Sequence, residues 1–523
     1  MLVSDIVRRN AEYFGDNDAV VVPGGRTLGW AALEARSNRL ARALLALGLR
    51  HGDRLAILAP NCGEYIELFF ACAKTGVIGA ACNIRLTAGQ LAAYLGGVAP
   101  RAAVVHAGAG ALGRDCLAHL PGRVPTAGMG EGHGLELDLE ELVAAAEPSD
   151  PGCRVSETDA YQLGATSGTT GIPKGAVLSH RNAVAAMLNF AAELEVREAE
   201  TNLQCIPLFF NPGGPAGLHP VMLKGGRTVI LPGFDPGTFL DAVPRHRVSH
   251  SILVPTMVAM VLAHPECGAH DLSTLRSVVC GGSPLSPELL RRARDAFGDV
   301  FLPFYGMAET YSCGLTLRRE EQHPEGTEAQ RRRLGSAGRP QALMQVRVVA
   351  EGGAGVPHDG VTAGEIWLRG PSVSSGYFGM PEETAASRHG DWFRSGDLGV
   401  IDAGGFVTVV DRLKDVIITG GINVVSREVE VAVAGHPAVA QVAAIGIPDP
   451  IWVEVVHIVV VLREGVAATP EELLAHAAAR LSRHQRPRSV EFVDALPLSA
   501  TGKVLKTELR ARHRQASTPL STV

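Results

Sequence analysis

Helix and strand patterns alternate along the first 150 residues, and this alternation constrains the fold more than any other feature. Gly48 ends a predicted helix with one apolar face, which is formed by Trp30, Leu33, Leu40, Leu44 and Leu47. Residues 54–60 and 101–107 are apolar runs of strand length, and residues 67–76 return to a helical pattern. Strands that alternate with helices build sheets covered by helices. The sequence therefore predicts an α/β fold.

The pattern changes in the last third of the chain, which predicts a second domain. From about residue 364 the sequence reads as short strands separated by glycine pairs, and a compact segment follows DRLKD at 411–415. Its last predicted helix opens with a capping box that has proline at the first helical position, formed by Thr469, Pro470 and Glu472. We predict a large N-terminal α/β body of several subdomains over 1–410 and a small C-terminal α+β domain over 411–523.

Three other segments are predicted to be irregular. Residues 318–334 carry so many charges that we expect a solvated loop, and QASTPLSTV at the C-terminus is expected to fray. GAGALG at 108–113 follows a predicted strand and matches GxGxxG, the pattern of dinucleotide-binding turns. Because no clear helical pattern follows it, we predict a surface loop there.

Composition and charge exclude several classes of protein. The 523 residues are 46% hydrophobic and 20% charged, which is typical of globular chains, and the net charge of −6 argues against a nucleic-acid partner. No apolar run approaches the ~20 residues of a membrane span, since VVHIVVVL at 455–462 has only strand length. The N-terminus does not resemble a secretory signal. Nine scattered cysteines without a CxxC pair suit buried, reduced thiols, so we expect a cytoplasmic protein.

The segment TSGTTGIPKG at 166–175 has the composition of a phosphate-binding loop. Hydroxyl residues alternate with Gly168, Gly171 and Gly175, and Lys174 adds a positive charge. Glycines let the backbone approach an anion, while hydroxyls and the lysine supply donors. The proline before the lysine distinguishes this loop from the Walker motif. The loop lies between a predicted strand at 161–165 and a predicted helix beginning near Asn182, where a flexible linker is not needed.

Five motifs together resemble the adenylate-forming superfamily, in its branch of acyl-CoA synthetases and AMP-dependent ligases. They are TSGTTGIPKG, YGMAET at 305–310, WFRSGDLG at 392–399, DRLKD at 411–415 and PLSATGKVLK at 497–506, in family order and spacing over nearly the whole chain. The resemblance implies a two-step reaction. A carboxylate first attacks the α-phosphate of ATP to give an acyl-adenylate and pyrophosphate, and a thiol then displaces AMP. Cations and backbone donors would stabilise the charge that develops on the phosphate.

The resemblance also implies roles for individual residues. The β- and γ-phosphates would be oriented by the loop residues Thr166, Ser167, Gly168, Thr169, Thr170 and Lys174. Adenine would stack on Tyr305, beside Gly306, with the other side lined by Gly281, Gly282 and Ser283. Glu309 would bind Mg²⁺ and Thr310 the α-phosphate, while Asp397 and Arg412 would contact the ribose.

Three further roles belong to the C-terminal part. Lys503 would bridge the acid and the α-phosphate in the first step. Lys414 would be the hinge about which the small, mobile domain pivots. Gly420 and Gly421 would then approach the pantetheine arm of the thiol.

The family places the acid pocket at Phe210, Asn211, Val254, Thr256, Cys280, Gly281, Met307 and Ala308. PLFF at 207–210 departs from the common PLFH, in which the histidine gates the pocket. Asn211 stands where amino-acid-activating relatives have an aspartate that pairs with the ammonium group, so α-amino acids are disfavoured. Asn211 could hold a polar substituent of the acid or cap a turn.

The acceptor is predicted to be CoA, with a carrier protein as the alternative. GIPDPIWVE at 446–454 resembles the CoA branch, although Val453 stands where glycine is usual. The run of Arg483, Arg486 and Arg488 could meet either CoA phosphates or an acidic carrier. The favoured function is therefore an acyl-CoA synthetase that uses ATP, Mg²⁺ and CoA. The alternatives are a stand-alone adenylating enzyme that loads a carrier protein or another nucleophile, and a nucleotide-binding protein without catalysis, which Glu309 and Lys503 argue against. The sequence leaves open which acid is used and whether the chain forms a homodimer.

Overall fold

The computed structural model describes residues 1–166, 174–210, 214–419, 422–449, 451–498 and 504–516. The chain forms two compact units, of which the first comprises residues 1–346 and 368–393 and the second residues 347–367 and 394–523. The predicted domain boundary near residue 410 stays a prediction.

The first unit contains a sheet with strand order β16-β15-β14-β13-β12-β10-β11-β1-β2. Its strands are β1 (Asp18–Val21), β2 (Thr27–Gly29), β10 (Thr201–Gln204), β11 (Arg227–Ile230), β12 (His250–Leu253), β13 (Ser277–Cys280), β14 (Phe301–Gly306), β15 (Gly314–Thr316) and β16 (Arg339–Pro340). From β14 to β1 all neighbours are parallel, and the pairs at the two ends are antiparallel. The parallel centre is consistent with strands buried on both faces.

A second sheet of the first unit has the order β7-β6-β5-β3-β4-β8-β9. Its strands are β3 (Arg54–Leu58), β4 (Ile78–Ala81), β5 (Ala102–His106), β6 (Thr126–Met129), β7 (Leu137–Asp138), β8 (Ala160–Ala165) and β9 (Gly175–Ser179). Only β8 and β9 pair antiparallel among its neighbours in the described residues, as a hairpin that encloses the predicted phosphate loop.

Helices connect and cover these strands. Those of the first unit are α1 (Ser4–Phe14), α2 (Trp30–Ala46), α3 (Gly63–Thr75), α4 (Ala88–Val98), α5 (Gly110–Ala118), α6 (Leu139–Ala144), α7 (His180–Glu193), α8 (His219–Leu223), α9 (Pro236–His246), α10 (Pro255–Ala263), α11 (Pro287–Phe297), α12 (Glu328–Arg333) and α13 (Pro381–Ala386). Side chains from α9, α10 and α11 bury a continuous core with the nine-stranded sheet, including Phe239, Val258 and Leu290. This arrangement confirms the predicted α/β body.

The second unit holds a five-stranded sheet that contains β22 (Ile417–Thr419), β23 (Ile422–Val424), β24 (Val439–Asp449), β25 (Val453–Leu462) and β26 (Ser489–Phe492). Its helices are α14 (Ser426–Ala434), α15 (Pro470–Ala478) and α16 (Lys506–Ala516). The chain passes between the units within β17 (Gln345–Val349), β18 (Gly364–Arg369) and β20 (Trp392–Ile401). β20 pairs antiparallel with the short β19 (Arg388–His389) and with β21 (Val407–Arg412).

Several local predictions are confirmed. Trp30, Leu33, Leu40 and Leu44 are fully buried on one face of α2, and Leu47 caps its end just before Gly48, which has a φ of +91°. The capping box of α15 forms as predicted, with the Thr469 hydroxyl accepting from the N–H of Glu472. The run 455–462 lies within β25. Six of the nine cysteines are buried, and all nine are free thiols.

The prediction for 318–334 is wrong in two places. α12 forms within this segment, capped by Thr327, and the Arg318 guanidinium donates to the buried carboxylate of Glu193 at 2.8 Å. The charge of Arg318 is therefore paired with a group distant in sequence, whereas Glu325, Glu328, Arg331 and Arg332 are exposed as predicted.

The prediction of a surface loop at 108–113 is also wrong, because α5 begins at Gly110 directly after the turn. A Cβ on Gly113 would lie 2.6 Å from Val105 Cγ1, so glycine is required where this helix packs on β5. The helix predicted to begin near Asn182 is confirmed: it begins at His180, after β9, and Asn182 completes a capping box with Ser179. The helix α16 extends to Ala516, and residues 517–523 of the predicted tail lie outside the described residues.

Val453 has a φ of +68°, a conformation that strains β-branched residues. Its side chain is exposed, so it gains little from packing. We expect Val453→Gly to raise the free energy of unfolding by about 1 kcal/mol, because relief of left-handed strain exceeds the added entropy of the unfolded chain. The measurement is the midpoint of urea unfolding. Val455→Gly, at a buried position of the same strand, is the matched control and should lower the midpoint. A lower midpoint for Val453→Gly would contradict the proposed strain at Val453.

Candidate active site

Many of the predicted nucleotide and acid residues of the first unit lie at one edge of its nine-stranded sheet. β14, β13, β12 and β10 are parallel neighbours, so their carboxyl ends meet at that edge. The last residues of these strands and the segments that follow carry Phe210, Val254, Thr256, Cys280, Gly281, Gly282, Ser283, Tyr305, Gly306, Met307, Ala308, Glu309 and Thr310. Ligands of open α/β sheets bind outside the carboxyl ends of strands, so the structure brings these residues together where a ligand is expected.

The turn after β13 can be formed only by small residues. A Cβ on Gly281 would lie 2.3 Å from Cε1 of Phe304, and Gly282 has a φ of +83°. Ser283 is exposed next to them. The turn thus packs on Phe304 at Gly281 and is exposed at Gly282 and Ser283.

The end of β14 leads into a single 3₁₀ turn that carries Glu309. Gly306 is required there, since a Cβ would lie 2.0 Å from the carbonyl oxygen of Ser312. Tyr305, Met307, Ala308 and Glu309 are half-buried. These side chains can therefore still reach a bound ligand.

The α-phosphate contact of Thr310 stays a prediction, and the structure shows the contacts of this side chain within the protein. Its side chain is fully buried, and its hydroxyl donates to the carbonyl of Cys313 at 2.5 Å and lies 3.3 Å from the backbone N of Met307. We therefore assign Thr310 the role of stabilising the turn that presents Glu309.

Glu309, Tyr377 and Lys174 form a polar cluster in the first unit. The Tyr377 hydroxyl donates to Glu309 Oε1 at 2.8 Å, and Lys174 Nζ lies 5.1 Å from the centroid of the Tyr377 ring. Burial, with the adjacent Glu309 carboxylate as a smaller cause, raises the pKa of Tyr377 well above its usual value, so its hydroxyl remains a donor. The cluster thus joins the predicted Mg²⁺ ligand to the predicted phosphate-binding lysine.

Tyr377 is a residue that sequence reasoning missed. Its segment runs beside β9, with Phe378 N–H donating to the Gly175 carbonyl and Val177 N–H to the Gly376 carbonyl. The backbone N–H of Ser374 also donates to the carbonyl of Glu309 at 2.7 Å. The only signal in the sequence is a tyrosine flanked by glycines in GYFG at 376–379, which does not disclose its partner.

Tyr377 is expected to act as a positioning residue for Glu309. We expect Tyr377→Phe to raise the Mg²⁺ concentration needed for half-maximal ATP–pyrophosphate exchange by about tenfold, because partners that orient a metal ligand typically contribute 10–100-fold. The Michaelis constant for the acid should not change. Tyr13→Phe, at an exposed tyrosine, is the control. An unchanged Mg²⁺ dependence in Tyr377→Phe would contradict this role.

The two ends of the predicted phosphate loop are held together. Thr166 N–H donates to the Lys174 carbonyl at 2.9 Å, and Lys174 N–H donates to the Thr166 hydroxyl at 3.2 Å. Ser167, Gly168, Thr169 and Thr170 lie outside the described residues. Their phosphate contacts stay a prediction.

The predicted acid pocket is lined by neutral side chains. Phe210 packs edge-to-face on Phe209, with ring centroids 4.7 Å apart and an interplanar angle of 66°. Cys280 is buried, which raises the pKa of its thiol to about 12, so it stays neutral. Val254 is half-buried, whereas Thr256 is exposed. Asn211 lies outside the described residues.

The second unit brings two of its predicted nucleotide residues together. Asp397 on β20 is the register partner of Arg412 on β21, and Arg412 Nε lies 3.4 Å from Asp397 Oδ1. Partial burial and the neighbouring charge of Arg412 lower the pKa of Lys414, the predicted hinge residue, to about 8. Gly420, Gly421 and Lys503 lie outside the described residues.

Family models match both parts of the chain. The model described as AMP-binding enzyme matches residues 7–378, and the one described as AMP-binding enzyme C-terminal domain matches residues 428–503. The chain belongs to this family. It is therefore an AMP-forming acid–thiol ligase that activates a carboxylic acid and transfers it to a thiol. ATP, Mg²⁺ and CoA are the general requirements of such enzymes.

Individual relatives extend over most of the ligase. A feruloyl-CoA synthase from an Amycolatopsis species is 39% identical over 490 residues, which cover 94% of each chain. The fatty acid–[acyl-carrier-protein] ligase ScoC of Streptomyces coeruleorubidus is 33% identical and covers 93% of this chain and 92% of its own. The crystal structure of ATP-bound MatB from Rhodopseudomonas palustris superposes with a TM-score of 0.87 at 27% identity, covering 99% of this chain and 100% of MatB. Among the described residues, no helix has both the length and the apolar character that crossing a membrane requires.

Proposed function

We propose that this ligase converts an acid with an aromatic ring, of the ferulate type, into its CoA thioester. The similarity to feruloyl-CoA synthase over 94% of both chains carries the proposal. The Phe209–Phe210 pair supports it, because an aromatic wall favours stacked or edge-to-face contact with a flat ring. The neutral lining of the pocket also suits an uncharged ring better than a second charged group of the substrate.

In the first step, a carboxylate oxygen of the acid would form a bond to the α-phosphorus of ATP while the bond to the β-phosphate bridge breaks. We assign Lys503 to the acid and the α-phosphate, whose negative charges must approach each other. Lys174 and the loop from Thr166 to Thr170 would hold the β- and γ-phosphates. Such fixed positive groups supply most of the catalysis in phosphoryl chemistry.

Glu309 fits the Mg²⁺ site that the family requires. Magnesium is commonly held by one or two carboxylates together with substrate phosphates, and the Glu309 carboxylate is half-buried and oriented by Tyr377. When bound, the ion would neutralise phosphate charge. We further propose that Tyr305 stacks on adenine beside Gly281, Gly282 and Ser283, and that Asp397 and Arg412 contact the ribose.

In the second step, the CoA sulfur would form a bond to the acyl carbon, and the bond from that carbon to the AMP oxygen would break. We propose CoA as the acceptor because the feruloyl relative bears that name, whereas ScoC raises a carrier protein as the second candidate. Arg483, Arg486 and Arg488 are all exposed in the second unit, and Arg488 lies 4.8 Å above the Trp452 ring. Exposed cations beside an aromatic face suit the phosphates and adenine of CoA. The cytoplasm, where free thiols persist, is the compartment we propose.

The arginines give a prediction about the acceptor. We expect Arg483→Glu/Arg488→Glu to raise the Michaelis constant for CoA by about tenfold, because each substitution replaces attraction of a phosphate by repulsion. Acid-dependent ATP–pyrophosphate exchange, which needs no CoA, should be unchanged. Arg463→Glu, at another exposed arginine of the same unit, is the control. An unchanged Michaelis constant for CoA would contradict this assignment.

A panel of acids tests the proposed substrate class. Ferulate, cinnamate, benzoate and straight-chain acids of six to twelve carbons would be compared for thioester formation with CoA and with a phosphopantetheinylated carrier protein. We expect kcat/KM for ferulate or cinnamate to exceed that for the straight-chain acids by roughly 10–200-fold, the range that pocket fit provides. Preference for a straight-chain acid would contradict the aromatic assignment, and loading of the carrier without CoA thioester would contradict the acceptor.

A further inference from the structure

Three side chains with metal-binding atoms converge on one face of the sheet in the second unit. His457 lies on β25, and Glu491 lies on the parallel neighbour β26. His457 is in register with Ser489, two residues before Glu491. Because side chains alternate along a strand, His457, Ser489 and Glu491 project from the same face.

The helix α16 covers this face and adds a second histidine. Leu509 of α16 is buried in a cluster with Ala443, Ile445 and Val459, and Val459 follows His457 by two positions on β25. His513 lies one helical turn after Leu509, so it is on the same side of the helix. The packing of Leu509 therefore directs His513 towards His457 and Glu491.

The distances among the three groups match those of a metal site. His513 Nε2 lies 3.0 Å from Glu491 Oε2, and His457 Nε2 lies 3.7 Å from the same oxygen. One ligand atom from each residue lies within 4.8 Å of the others. Ligands at 2.0–2.1 Å from a tetrahedral zinc ion are roughly 3.3–3.5 Å apart. Only small side-chain rotations would thus bring all three atoms onto one ion.

The orientation of His457 supports this interpretation. Its side chain is 5% exposed, and its Nδ1 lies 2.7 Å from the Ser489 hydroxyl. Within the part of the chain that the structure describes, its buried Nε2 has no hydrogen-bond partner. Buried polar atoms are seldom left unsatisfied. A hydrogen bond at one ring nitrogen that leaves the other directed at the site is the usual arrangement of metal-binding histidines.

We propose that His457, Glu491 and His513 bind a divalent transition-metal ion, for which zinc is the best candidate. Two imidazoles and one carboxylate suit zinc, whereas magnesium prefers oxygen ligands alone. The Glu491 and His513 side chains are 35% and 24% exposed, so the ion can enter from solution and keep a water as its fourth ligand. The site is separate from Glu309, which belongs to the other unit. A bound ion would fasten the helix α16 to strands β25 and β26.

Metal binding to the full-length protein tests the proposal. Chelator-treated protein would be dialysed against zinc chloride in magnesium-free buffer, and bound zinc would be measured by mass spectrometry. We expect wild type to retain one equivalent more than His513→Ala and Glu491→Gln. Zinc should also raise the melting temperature of wild type by roughly 2–4 °C and leave that of both variants unchanged. Cobalt(II) should give the visible spectrum of a tetrahedral site in wild type and in neither His513→Ala nor Glu491→Gln.

His476→Ala is the matched control. His476 and His436 form a similar edge-to-face pair in the same unit, with ring centroids 5.0 Å apart, but they do not belong to the cluster of three metal-binding groups found among the described residues. This variant should bind zinc as wild type does. Glu491→Gln preserves the shape of the side chain, so it removes a metal ligand without disturbing the packing. The melting temperature without metal shows whether each variant is folded. Equal zinc in wild type, His513→Ala and Glu491→Gln would overturn the proposal, as would an equal loss in His476→Ala.

Discussion

Lys503→Ala is expected to lower acid-dependent ATP–pyrophosphate exchange by about 10²–10³-fold. The reason is electrostatic, because the acid and the α-phosphate are both anions and the lysine is the cation that would offset their charges as they meet. Formation of the CoA thioester from a supplied acyl-adenylate should continue at the wild-type rate, since the supplied intermediate makes the adenylation step unnecessary. The measurement is the comparison of these two half-reactions on one enzyme preparation. The assignment of Lys503 depends on PLSATGKVLK, because the residue lies outside those that the structure describes.

Lys506→Ala is the matched control for this prediction. Lys506 lies three residues further along, and its ammonium forms an ion pair with Glu430 at 2.7 Å and donates to the Ser426 hydroxyl at 2.6 Å. Its contacts are therefore structural, and its loss should affect stability more than exchange. Wild-type exchange in Lys503→Ala, or an equal loss of both half-reactions, would show that Lys503 does not have the proposed role.

Glu309→Gln is expected to produce a second large loss, of about 10²–10³-fold in exchange. Glutamine keeps the size of the side chain and can still accept from Tyr377, but it lacks the charge that binds Mg²⁺ beside phosphates. The defect should be larger than that of Tyr377→Phe, which only removes the orienting hydrogen bond. Titration of Mg²⁺ in the exchange assay measures the defects of both variants.

The control for Glu309→Gln is Glu382→Gln, an exposed carboxylate in the first turn of α13. It should behave as wild type at every Mg²⁺ concentration. If Glu309→Gln required no more Mg²⁺ than wild type and lost little activity, another residue would have to hold the ion.

Short-range sequence patterns correctly predicted the elements whose formation depends on residues close together in the chain. The apolar face of α2 and the capping box at Thr469 were correct, because helix burial and capping are determined by residues three or four positions apart. The motifs singled out Tyr305 and Glu309, and the structure places them at the end of β14 and in the turn that follows it.

The errors concern partners that are distant in sequence. The 318–334 segment was expected to be a solvated loop because it carries so many charges, yet Arg318 pairs with Glu193. Tyr377 was missed for the same reason, since it contacts Glu309 only because its segment runs beside β9. The histidine–glutamate cluster combines two strands and a helix, and no spacing rule connects those three positions.

The fate of the carboxylate oxygens tests the two-step reaction most directly. The ligase would be incubated with ATP, CoA and ferulate in which both carboxylate oxygens are ¹⁸O. The ¹⁸O content of each product would be measured by mass spectrometry. Attack on the α-phosphate followed by transfer to CoA predicts one ¹⁸O in AMP, one in feruloyl-CoA and none in pyrophosphate. Label in inorganic phosphate together with ADP, or unlabelled AMP beside labelled thioester, would contradict the acyl-adenylate.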